Sequence, residues 1–512
     1  MTRILNMKHG QATREMTRLS LDALNGHADP GRFGRMFPAL KPLVASDDAL
    51  FQLASAMKDP NPADGSDNPK LPAGYTYLGQ FIDHDITLDL TPLDVQKNDP
   101  LATQNFRSPA LDLDSLYGPG PALAPYMYQR DAKGRKLPKF LIGKAEASFD
   151  GTAELPNDLP RTSAGRAVIG DERNDENLLV AQTHLAFLKF HNAIIDWLEG
   201  RQPNRDKDEL FEEAQRLARW HYQWIVLHDF VERLTETGLI DRIRQEGRRF
   251  YRFKTRPYMP AEFAAAAYRI GHSMVRQDYS HNRVFRPGGP IGASGTLKLL
   301  FYFTGKSGAI IGDLAATADP ADFPNGPGPV ATLPSNWAID WRRFYDFGTA
   351  SAPDFTLNLS RKLDAFLIPE LHGLPGEDGR FASLPFRNLR RGVQLGLPSG
   401  QDVARAVGVT PMSAADLSKG TDGAAADDAK LTHATPLWYY ILKEAAEIGK
   451  GTRLGPVGTI ILAETFLGLV HGDDKSFLWQ RSNWKPELPS AEPGKFTMTD
   501  LLNFVGDINP LG

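Results

Sequence analysis

Apolar residues recur at three- and four-residue intervals along most of this chain, the spacing that places them on one face of a helix. The clearest such stretch, residues 176–200, ends at a glycine, and residues 206–238 repeat the pattern behind an acidic first turn. Residues 260–278 and 435–451 predict two more helices, whereas strand signals are short and scattered. We therefore expect a mainly α fold, formed by a single large helical domain with few short strands and long loops.

The first part of the chain differs in composition from the rest. Residues 1–70 are rich in Pro, Gly, Asp and Asn, which predicts an extended N-terminal arm wrapping a body formed by residues 71–512. Within that body, residues 305–336 and 418–430 are rich in Gly, Pro, Ala and Asp and predict surface insertions.

Charge and composition exclude several classes of protein. The formal net charge is −4 with both signs interspersed, so we expect no nucleic-acid partner. Cysteine is absent, which excludes disulfides and thiolate ligation and leaves His and carboxylates to hold any cofactor. The longest apolar run, residues 455–472, is interrupted by Glu464 and falls short of the ~20 residues that span a bilayer. We expect a buried helix there and no membrane span. Since the N-terminus lacks the apolar core of a signal peptide, we expect a cytoplasmic location by default, with non-classical secretion as the alternative.

The stretch LGQFIDHDITLD, residues 78–89, concentrates polar side chains on a segment that is otherwise apolar. If it is helical, Gln80, Asp83 and His84 share one face, while Asp85 points about 100° away from His84. Buried polar groups need partners. Two interpretations are open: a cofactor supplies those partners, or His84 is a core histidine hydrogen-bonded to nearby carboxylates.

The stretch SPALDLDSLYGPG, residues 108–120, alternates polar and apolar positions. An extended backbone would put every second group on one side, which offers Ca²⁺ the hard oxygen ligands that it prefers. Asp85 would complete that oxygen set from the neighbouring helix. A polar turn with Asx caps is the alternative. The alternating groups are Ser108, the Ala110 carbonyl, Asp112 and Asp114.

The stretch GDERNDENLL, residues 170–179, opens the long helix with a cluster of charges. Arg173 and Glu176 lie one turn apart in it. Taken by themselves, they favour N-terminal capping with a surface i, i+3 ion pair over a functional role.

Two later stretches complete the set. In YRIGHSMVR, residues 268–276, Gly271 precedes His272 in an apolar segment, which suits close approach of a flat macrocycle or tight helix packing equally. In LPFRNLRRGVQLGLP, residues 384–398, arginines surround an asparagine and could pair with carboxylates of a ligand, unless they form a solvated basic turn. These residues are Arg387, Asn388, Arg390 and Arg391.

Taken together and in this order, the five stretches resemble the animal-type haem peroxidases of the peroxidase–cyclooxygenase superfamily, on the side of myeloperoxidase and lactoperoxidase. The shared pattern is GQxxDHD, the alternating loop ending in YG, RxxE followed by H…HN, RxGH and N…R…GLP. It runs from about residue 75 to about residue 470. The resemblance implies one helical haem-peroxidase domain in a short, cysteine-free, bacterial-like member.

The resemblance also implies roles for single residues. His84 corresponds to the distal histidine, which acts as general acid and base, with Gln80 in the distal pocket and Arg173 as the distal catalytic arginine. His272 corresponds to the proximal iron ligand, and Asn388 to the amide that receives its other ring N–H. The other implied roles are haem ester links through Asp83 and Glu176, propionate contacts through Arg269 and Arg391, and calcium ligation by Asp85, Ser108, the Ala110 carbonyl, Asp112 and Asp114.

The implied activity is a haem peroxidase that contains haem b, with ester links as a hypothesis, and Ca²⁺. It would use hydrogen peroxide to oxidise iodide, bromide, thiocyanate or phenolic donors through a ferryl intermediate. Asn177 stands where chloride-oxidising members have a methionine, so we do not expect chloride oxidation. Arg269 stands where the dioxygenases of the superfamily carry a radical-forming tyrosine, although Tyr268 is adjacent. The alternatives are a haem-dependent fatty-acid dioxygenase and a non-catalytic, calcium-stabilised binding or adhesion module.

Overall fold

The fold is described from a computed structural model of the chain. The described residues are 33–62, 66–88, 105, 107–148, 150–163, 165–290, 292–304, 333–348, 355–374 and 377–512.

Helices dominate the described part of the chain, as the sequence predicts. The α-helices are α1 (Asp47–Ala56), α2 (Gly74–Ile86), α3 (Asp114–Tyr117), α4 (Leu178–Arg201), α5 (Lys207–Ile225), α6 (Glu232–Leu234), α7 (Leu239–Glu246), α8 (Ala261–Ala264), α9 (Leu297–Tyr302), α10 (Leu384–Gln394), α11 (Gly400–Ala406), α12 (Ala414–Leu417), α13 (Gly420–Asp428), α14 (Leu437–Glu447), α15 (Pro456–Gly472), α16 (Phe477–Gln480) and α17 (Met498–Val505). Short 3₁₀ helices span Pro125–Met127, Glu172–Asp175, Ala267–Met274, Ser335–Trp337, Trp341–Arg343, Pro369–His372 and Gly379–Ala382.

The described strands are short and pair two by two. They are β1 (Phe33–Gly34), β2 (Asp67–Pro72), β3 (Tyr128–Arg130), β4 (Lys136–Phe140), β5 (Gly143–Ala145), β6 (Leu155–Asp158), β7 (Met259–Pro260), β8 (Asp278–Tyr279), β9 (Gly295–Thr296) and β10 (Leu359–Arg361). β1 and β7 are parallel, whereas β2–β10, β3–β4, β5–β6 and β8–β9 are antiparallel. The mainly α fold with few short strands is therefore confirmed.

The long helix α4 forms the centre of the core and packs against α2, α5 and α17. Its first turn is capped by Asn177, whose Oδ1 accepts the Val180 N–H at 2.9 Å. Phe81 of α2 stacks on Phe187 of α4 with their ring centroids 4.7 Å apart, and both side chains are fully buried. These contacts fix the position of α2, the helix that carries the polar stretch around His84.

The helix predicted over residues 206–238 is present but changes its geometry near the end. α5 passes at Val226–Val231 into a π-helical turn before α6 ends the segment. The helix predicted over residues 260–278 is wrong as a continuous element. It breaks at Ala266, whose backbone leaves the helical region, and Ala267–Met274 continue as a 3₁₀ helix. Because 3₁₀ geometry repeats every three residues, it puts residues three apart on the same face.

Two other predictions concern the later part of the chain. The helices predicted over residues 435–451 and 455–472 are confirmed as α14 and α15. The surface insertion predicted over residues 418–430 does lie largely at the surface, and it forms the helix α13, in which the buried Asp422 receives hydrogen bonds from Lys443 and Tyr439. Residues 305–332 of the other predicted insertion lie outside the described residues. No helix in the described ranges combines the length and apolar character that a bilayer-crossing segment needs.

The described part of the predicted N-terminal arm lies against the body. The buried carboxylate of Glu262 in α8 accepts the main-chain N–H groups of Met36 and Phe37 at 3.0 and 3.2 Å. The Arg35 guanidinium donates to the carbonyls of Leu395 and Gly396. Residues 1–32 lie outside the described residues, so the arm as a whole stays a prediction.

Glu444 provides a pH-dependent test of this packing. Its buried carboxylate accepts the Val457 N–H at the start of α15, and burial raises its pKa to about 7. A carboxyl group whose pKa is raised by folding destabilises the folded state as pH rises from the unfolded value to the folded one. In urea unfolding, we expect the stability difference between the wild type and Glu444→Gln to change by up to ~3 kcal/mol between about pH 4.5 and 7.

The matched control for that measurement is Glu492→Gln, because this side chain is 70% exposed and pairs with the equally exposed Lys495. Its stability difference from the wild type should stay flat over the same range. A flat Glu444→Gln difference would contradict the assignment of the pH dependence to this buried group.

Candidate active site

Three segments meet around the polar face of α2. Helix α2 is buried along almost its whole length, and Gly79, Gln80 and Asp83 are its half-buried residues. The 3₁₀ helix Glu172–Asp175 packs beside it and carries Arg173, and the 3₁₀ helix Ala267–Met274 packs on another side of it. The one open strip of α2 is thus the predicted polar face.

His84 is 5% exposed and is hydrogen-bonded through its Nδ1 atom. Nδ1 lies 2.8 Å from Oδ1 of Asn174, a fully buried side chain. The other ring nitrogen, Nε2, lies 3.5 Å from Oε1 of Glu176, which is longer than an ordinary hydrogen bond. His84 therefore has one nitrogen engaged and one without a close acceptor.

Gln80 is oriented by two neighbours. Its Nε2 donates to Oε1 of Glu176 at 2.5 Å, and its Oε1 accepts from Nδ2 of Asn177 at 2.9 Å. Since Asn177 Oδ1 also caps α4, the helix terminus determines which end of the Gln80 amide points to the carboxylate.

Arg173 is held by a buried carboxylate. Its guanidinium donates to both oxygens of Asp171 and to the main-chain carbonyl of His84 at 2.8 Å. Asp171 also pairs with Arg107 at 2.5 Å, and Arg107 reaches Asp114 at 3.0 Å. Arg173 and Arg107 outweigh the effect of burial and hold the pKa of Asp171 well below its usual range. Arg173 is thus fixed beside α2 by one ion pair with Asp171 and one hydrogen bond to the His84 carbonyl.

His272 is half-buried and its Nδ1 lies 2.7 Å from Nδ2 of Asn388 on α10. The predicted partners are therefore in contact, with the amide nitrogen toward the ring. Burial, and after it the guanidinium of Arg269, lowers the pKa of His272 to about 3, so the ring is neutral at physiological pH.

The segment of His272 is tied directly to α2. The Tyr268 hydroxyl donates to the Gly79 carbonyl at 2.9 Å. The carboxylates of Asp83 and Glu176 act on the His272 ring by raising its pKa, against the effect of burial. These two residues come from the segments that carry His84 and Arg173. The predicted distal and proximal residues therefore border the same region.

The two arginines predicted to bind propionates lie at this region too. Arg269 donates through Nε to the Ala264 carbonyl, and burial lowers the pKa of Arg391 to about 10. Gly271, between Arg269 and His272, faces open space, since a Cβ placed there would meet nothing within 4 Å.

The predicted calcium loop lies beside α2, but its backbone differs from the prediction. The extended alternation is wrong from Leu113 onward, because Leu113 is left-handed (φ 59°) and Asp114 opens α3. Asp85 accepts the N–H groups of Leu113 and Ser115, both at 3.1 Å. Asp112 accepts the Ser108 hydroxyl at 3.0 Å.

These loop carboxylates interact with one another as like charges. Burial raises the pKa of Asp85 to about 6, with Asp114 contributing in the same direction. Burial, and then the charges of Asp114 and Asp85, raise the pKa of Asp112. Across the described ranges no three acidic or histidine side chains converge closely enough to hold a metal ion.

Three residues of the site had no signal in the sequence. Asn174 contacts His84, Asp171 holds Arg173, and Arg107 joins Asp171 to the loop. Asp171 is recognisable as an N-cap residue before the 3₁₀ helix, but capping alone does not indicate that it binds two arginines.

Parts of the chain are similar in sequence to known proteins. The sequence family described as Animal haem peroxidase matches residues 89–287. Chorion peroxidase of Aedes aegypti is 30% identical over 155 residues, which cover 27% of this chain and 19% of that protein. The similarity to the animal haem peroxidase family is thus found over residues 89–287. The alignment with chorion peroxidase spans only about a fifth of that relative's length.

Solved structures show the same fold over nearly the whole chain. Peroxidase A from Dictyostelium discoideum superimposes with a TM-score of 0.61 at 16% identity, covering 94% of both chains. The fatty acid alpha-dioxygenase of Oryza sativa superimposes with a TM-score of 0.57 at 15% identity, covering 94% of this chain and 80% of that chain. The haem peroxidase fold is therefore established, and it is shared by peroxidases and dioxygenases.

Replacing Asp171 tests the charged contacts that hold Arg173. In Asp171→Asn, the buried Arg107 loses one of its two carboxylate partners, and Arg173 loses the carboxylate that binds it. Removing one partner of a buried ion pair costs roughly 3–5 kcal/mol, so we expect a loss of that order in the free energy of unfolding. Chemical denaturation measures it.

Asp196→Asn is the control. The Asp196 side chain is 63% exposed and pairs with Lys139. Exposed pairs contribute little, so this variant should unfold like the wild type. Equal stability of the Asp171 and Asp196 variants would contradict the role assigned to Asp171.

Proposed function

We propose that this chain is a haem peroxidase that binds haem b between His272 and His84 and uses hydrogen peroxide to oxidise small anionic or aromatic donors. The observation that carries the proposal is that Nδ1 of each histidine is engaged by a buried asparagine, which leaves each Nε2 for another partner. The core residue His184 has the same arrangement, so the proposal also depends on the position of His84 beside Arg173, whose guanidinium donates to the His84 carbonyl.

The residues present fit a haem group. His272 supplies a neutral imidazole beside Gly271, where added side-chain volume would meet nothing. Bound haem would supply an iron atom that accepts oxygen from peroxide. If Nε2 of His272 bound a metal, Nδ1 would carry the ring proton. The Asn388 amide would then rotate so that its oxygen accepts the hydrogen bond from Nδ1.

Asp83 and Glu176 are the candidates for ester links to haem. Both are half-buried and both act electrostatically on His272, so they lie on the side of the site that the cofactor would occupy. Arg269 and Arg391 would pair with its propionates. Burial removes water from around the Arg391 guanidinium, and a propionate carboxylate would stabilise its positive charge.

The remaining polar residues suit proton transfer from peroxide. An unprotonated Nε2 of His84 can take a proton from one peroxide oxygen and return it to the other as water forms, which is general acid–base catalysis. Arg173, fixed by Asp171, stabilises the negative charge that develops as the oxygen–oxygen bond breaks. Gln80 can hold water or a small anion near both groups.

The identity of the residues before His272 favours a peroxidase over a dioxygenase. Arg269 occupies the third position before His272, and the Tyr268 hydroxyl is engaged by the Gly79 carbonyl rather than directed to a substrate. We propose iodide, bromide, thiocyanate and phenols as donors. Fatty-acid dioxygenation is the second candidate, because the rice dioxygenase shares the fold.

The loop around Asp112 is proposed to bind Ca²⁺ with Asp85, Ser108, the Ala110 carbonyl and Asp114. In the described residues these carboxylates do not converge on one point, but Asp114 raises the pKa of both Asp85 and Asp112, and a cation would stabilise their ionised forms. Arg107 already compensates part of the charge of Asp114.

The central experiment loads the full chain with haem b and compares His272→Ala, His84→Ala and His433→Ala. We expect His272→Ala to change or abolish the haem absorption band. His84→Ala should keep the band but slow the reaction with peroxide by about 10²–10⁴-fold. His433 is exposed and serves as the control, which should behave like the wild type.

Two outcomes would count against the proposal. A wild-type chain that shows no haem band after loading would remove the cofactor. Oxygen uptake with linoleate, combined with no oxidation of iodide or guaiacol by peroxide, would favour the dioxygenase.

Calcium is tested by thermal unfolding with added Ca²⁺ or with a chelator. A ligand that binds only the folded state stabilises it by ~2.7 kcal/mol at a hundredfold excess over Kd, so the melting temperature should rise with calcium. Asp112→Asn should weaken this response, whereas Asp196→Asn should leave it unchanged. A melting temperature that changes with neither calcium nor chelator would refute the proposed calcium site.

A further inference from the structure

A buried asparagine joins the distal histidine to a second histidine. Oδ1 of Asn174 lies 2.8 Å from Nδ1 of His84, and its Nδ2 lies 3.0 Å from Nδ1 of His184. Asn174 and His184 are fully buried and His84 is nearly so. One amide therefore contacts the same ring atom of two imidazoles.

The chemistry of the amide forces the two rings to differ. An amide oxygen only accepts and an amide nitrogen only donates, so the imidazole facing the oxygen must carry a proton on Nδ1 and the other must not. Burial lowers the pKa of His184 to about 3, which keeps that ring neutral and able to accept. His84 and His184 consequently hold opposite tautomers.

The surroundings of His84 agree with the orientation seen. No acceptor at ordinary hydrogen-bond distance demands a proton on its Nε2, because Glu176 Oε1 is 3.5 Å away and already accepts from Gln80 at 2.5 Å. A proton on Nδ1, by contrast, has the Asn174 oxygen at 2.8 Å.

We propose that Asn174 is a positioning residue that keeps His84 as the Nδ1–H tautomer. The unprotonated Nε2 is then directed away from Asn174 and is available as a base before any peroxide arrives. The catalytic consequence rests on the proposed peroxidase function, whereas the tautomer itself does not. Asn174 touches neither peroxide nor cofactor in this scheme and acts only through His84.

The tautomers can be measured without cofactor. The full chain is labelled with ¹⁵N-histidine, and long-range ¹H–¹⁵N correlation spectra at a pH where His84 is neutral distinguish a protonated ring nitrogen from an unprotonated one. Variants His84→Gln and His184→Gln assign the two rings. We expect Nδ1–H for His84 and Nε2–H for His184. The reverse pair, or the same tautomer on both rings, would overturn the proposal in the wild-type protein alone.

Variants separate positioning from general stability. Asn174→Asp keeps an oxygen toward His84 but loses the donor to His184, so His84 should keep its tautomer while His184 changes to Nδ1–H. Asn174→Leu removes both contacts and should let His84 populate Nε2–H. The matched control is Asn105→Leu, which removes a buried amide that binds the Ile86 carbonyl and the Leu88 N–H at the end of the same helix. It should leave the His84 tautomer unchanged.

The haem-loaded enzyme gives the second readout. Asn174→Leu should slow the reaction with peroxide by about tenfold or more, a share of the ~10²–10⁴-fold that a positioned base contributes, with Asn174→Asp recovering most of the rate. Expected tautomers with no peroxidase activity in any variant would refute the proposed function and leave the positioning inference standing. Unaltered His84 tautomers in Asn174→Leu would refute the inference and leave the function standing. If Asn174→Leu does not fold, the wild-type and Asn174→Asp spectra still decide.

Discussion

A buried carboxylate must find hydrogen-bond donors inside the protein, and much of this fold is organised around that requirement. The donors are main-chain N–H groups from distant segments. Glu262 accepts from Met36 and Phe37, and Glu464 accepts from Phe250 and Tyr251. Each carboxylate thereby joins two parts of the chain that are far apart in sequence. Losing one such group would leave buried N–H groups without a partner, which costs more than the hydrogen bond itself contributes.

The same requirement shapes the candidate active site. Asp85 binds the loop that follows α2, and Asp171 neutralises the guanidinium groups of Arg173 and Arg107. Because these carboxylates are satisfied within the scaffold, the distal helix is held on several sides and only its polar strip is left open. The buried contacts that stabilise the fold also hold the site residues in position. Charge that is costly to bury is compensated by partners that also fix position.

Histidines in this protein follow two patterns. His191 and His221 have both ring nitrogens bound by the scaffold, which assigns them to the structure. His84 and His272 instead have Nδ1 bound by an asparagine. The core residue His184 also has Nδ1 bound by an asparagine, and its Nε2 has no hydrogen-bond partner. A single engaged nitrogen therefore does not by itself mark a site residue, and the neighbours of His84 and His272 distinguish them.

Much of the fold and of the site could be predicted from periodicity and from the resemblance. The long helix α4 and the buried helix α15 match the apolar spacing, because their burial repeats with the helical period. The unpredicted features have specific causes. The predicted helix containing His272 breaks at Ala266, and alanine, the best helix former, gives no warning of a break. Residues 418–430 form a helix because Asp422 finds Lys443, a partner more than twenty residues away.

The sequence by itself determined the helical class, the absence of cysteine and the identity of the residues at the candidate site other than Asn174, Asp171 and Arg107. Only the tertiary structure decided which atoms of those residues are engaged. Asn174 illustrates the difference. In the sequence it is an ordinary polar residue beside Arg173, whereas in the structure it lies between two histidines and determines whether Nδ1 of each ring carries a proton. Local patterns encode which face of a segment is buried. Hydrogen-bond partners across the fold depend on distances that no local pattern contains.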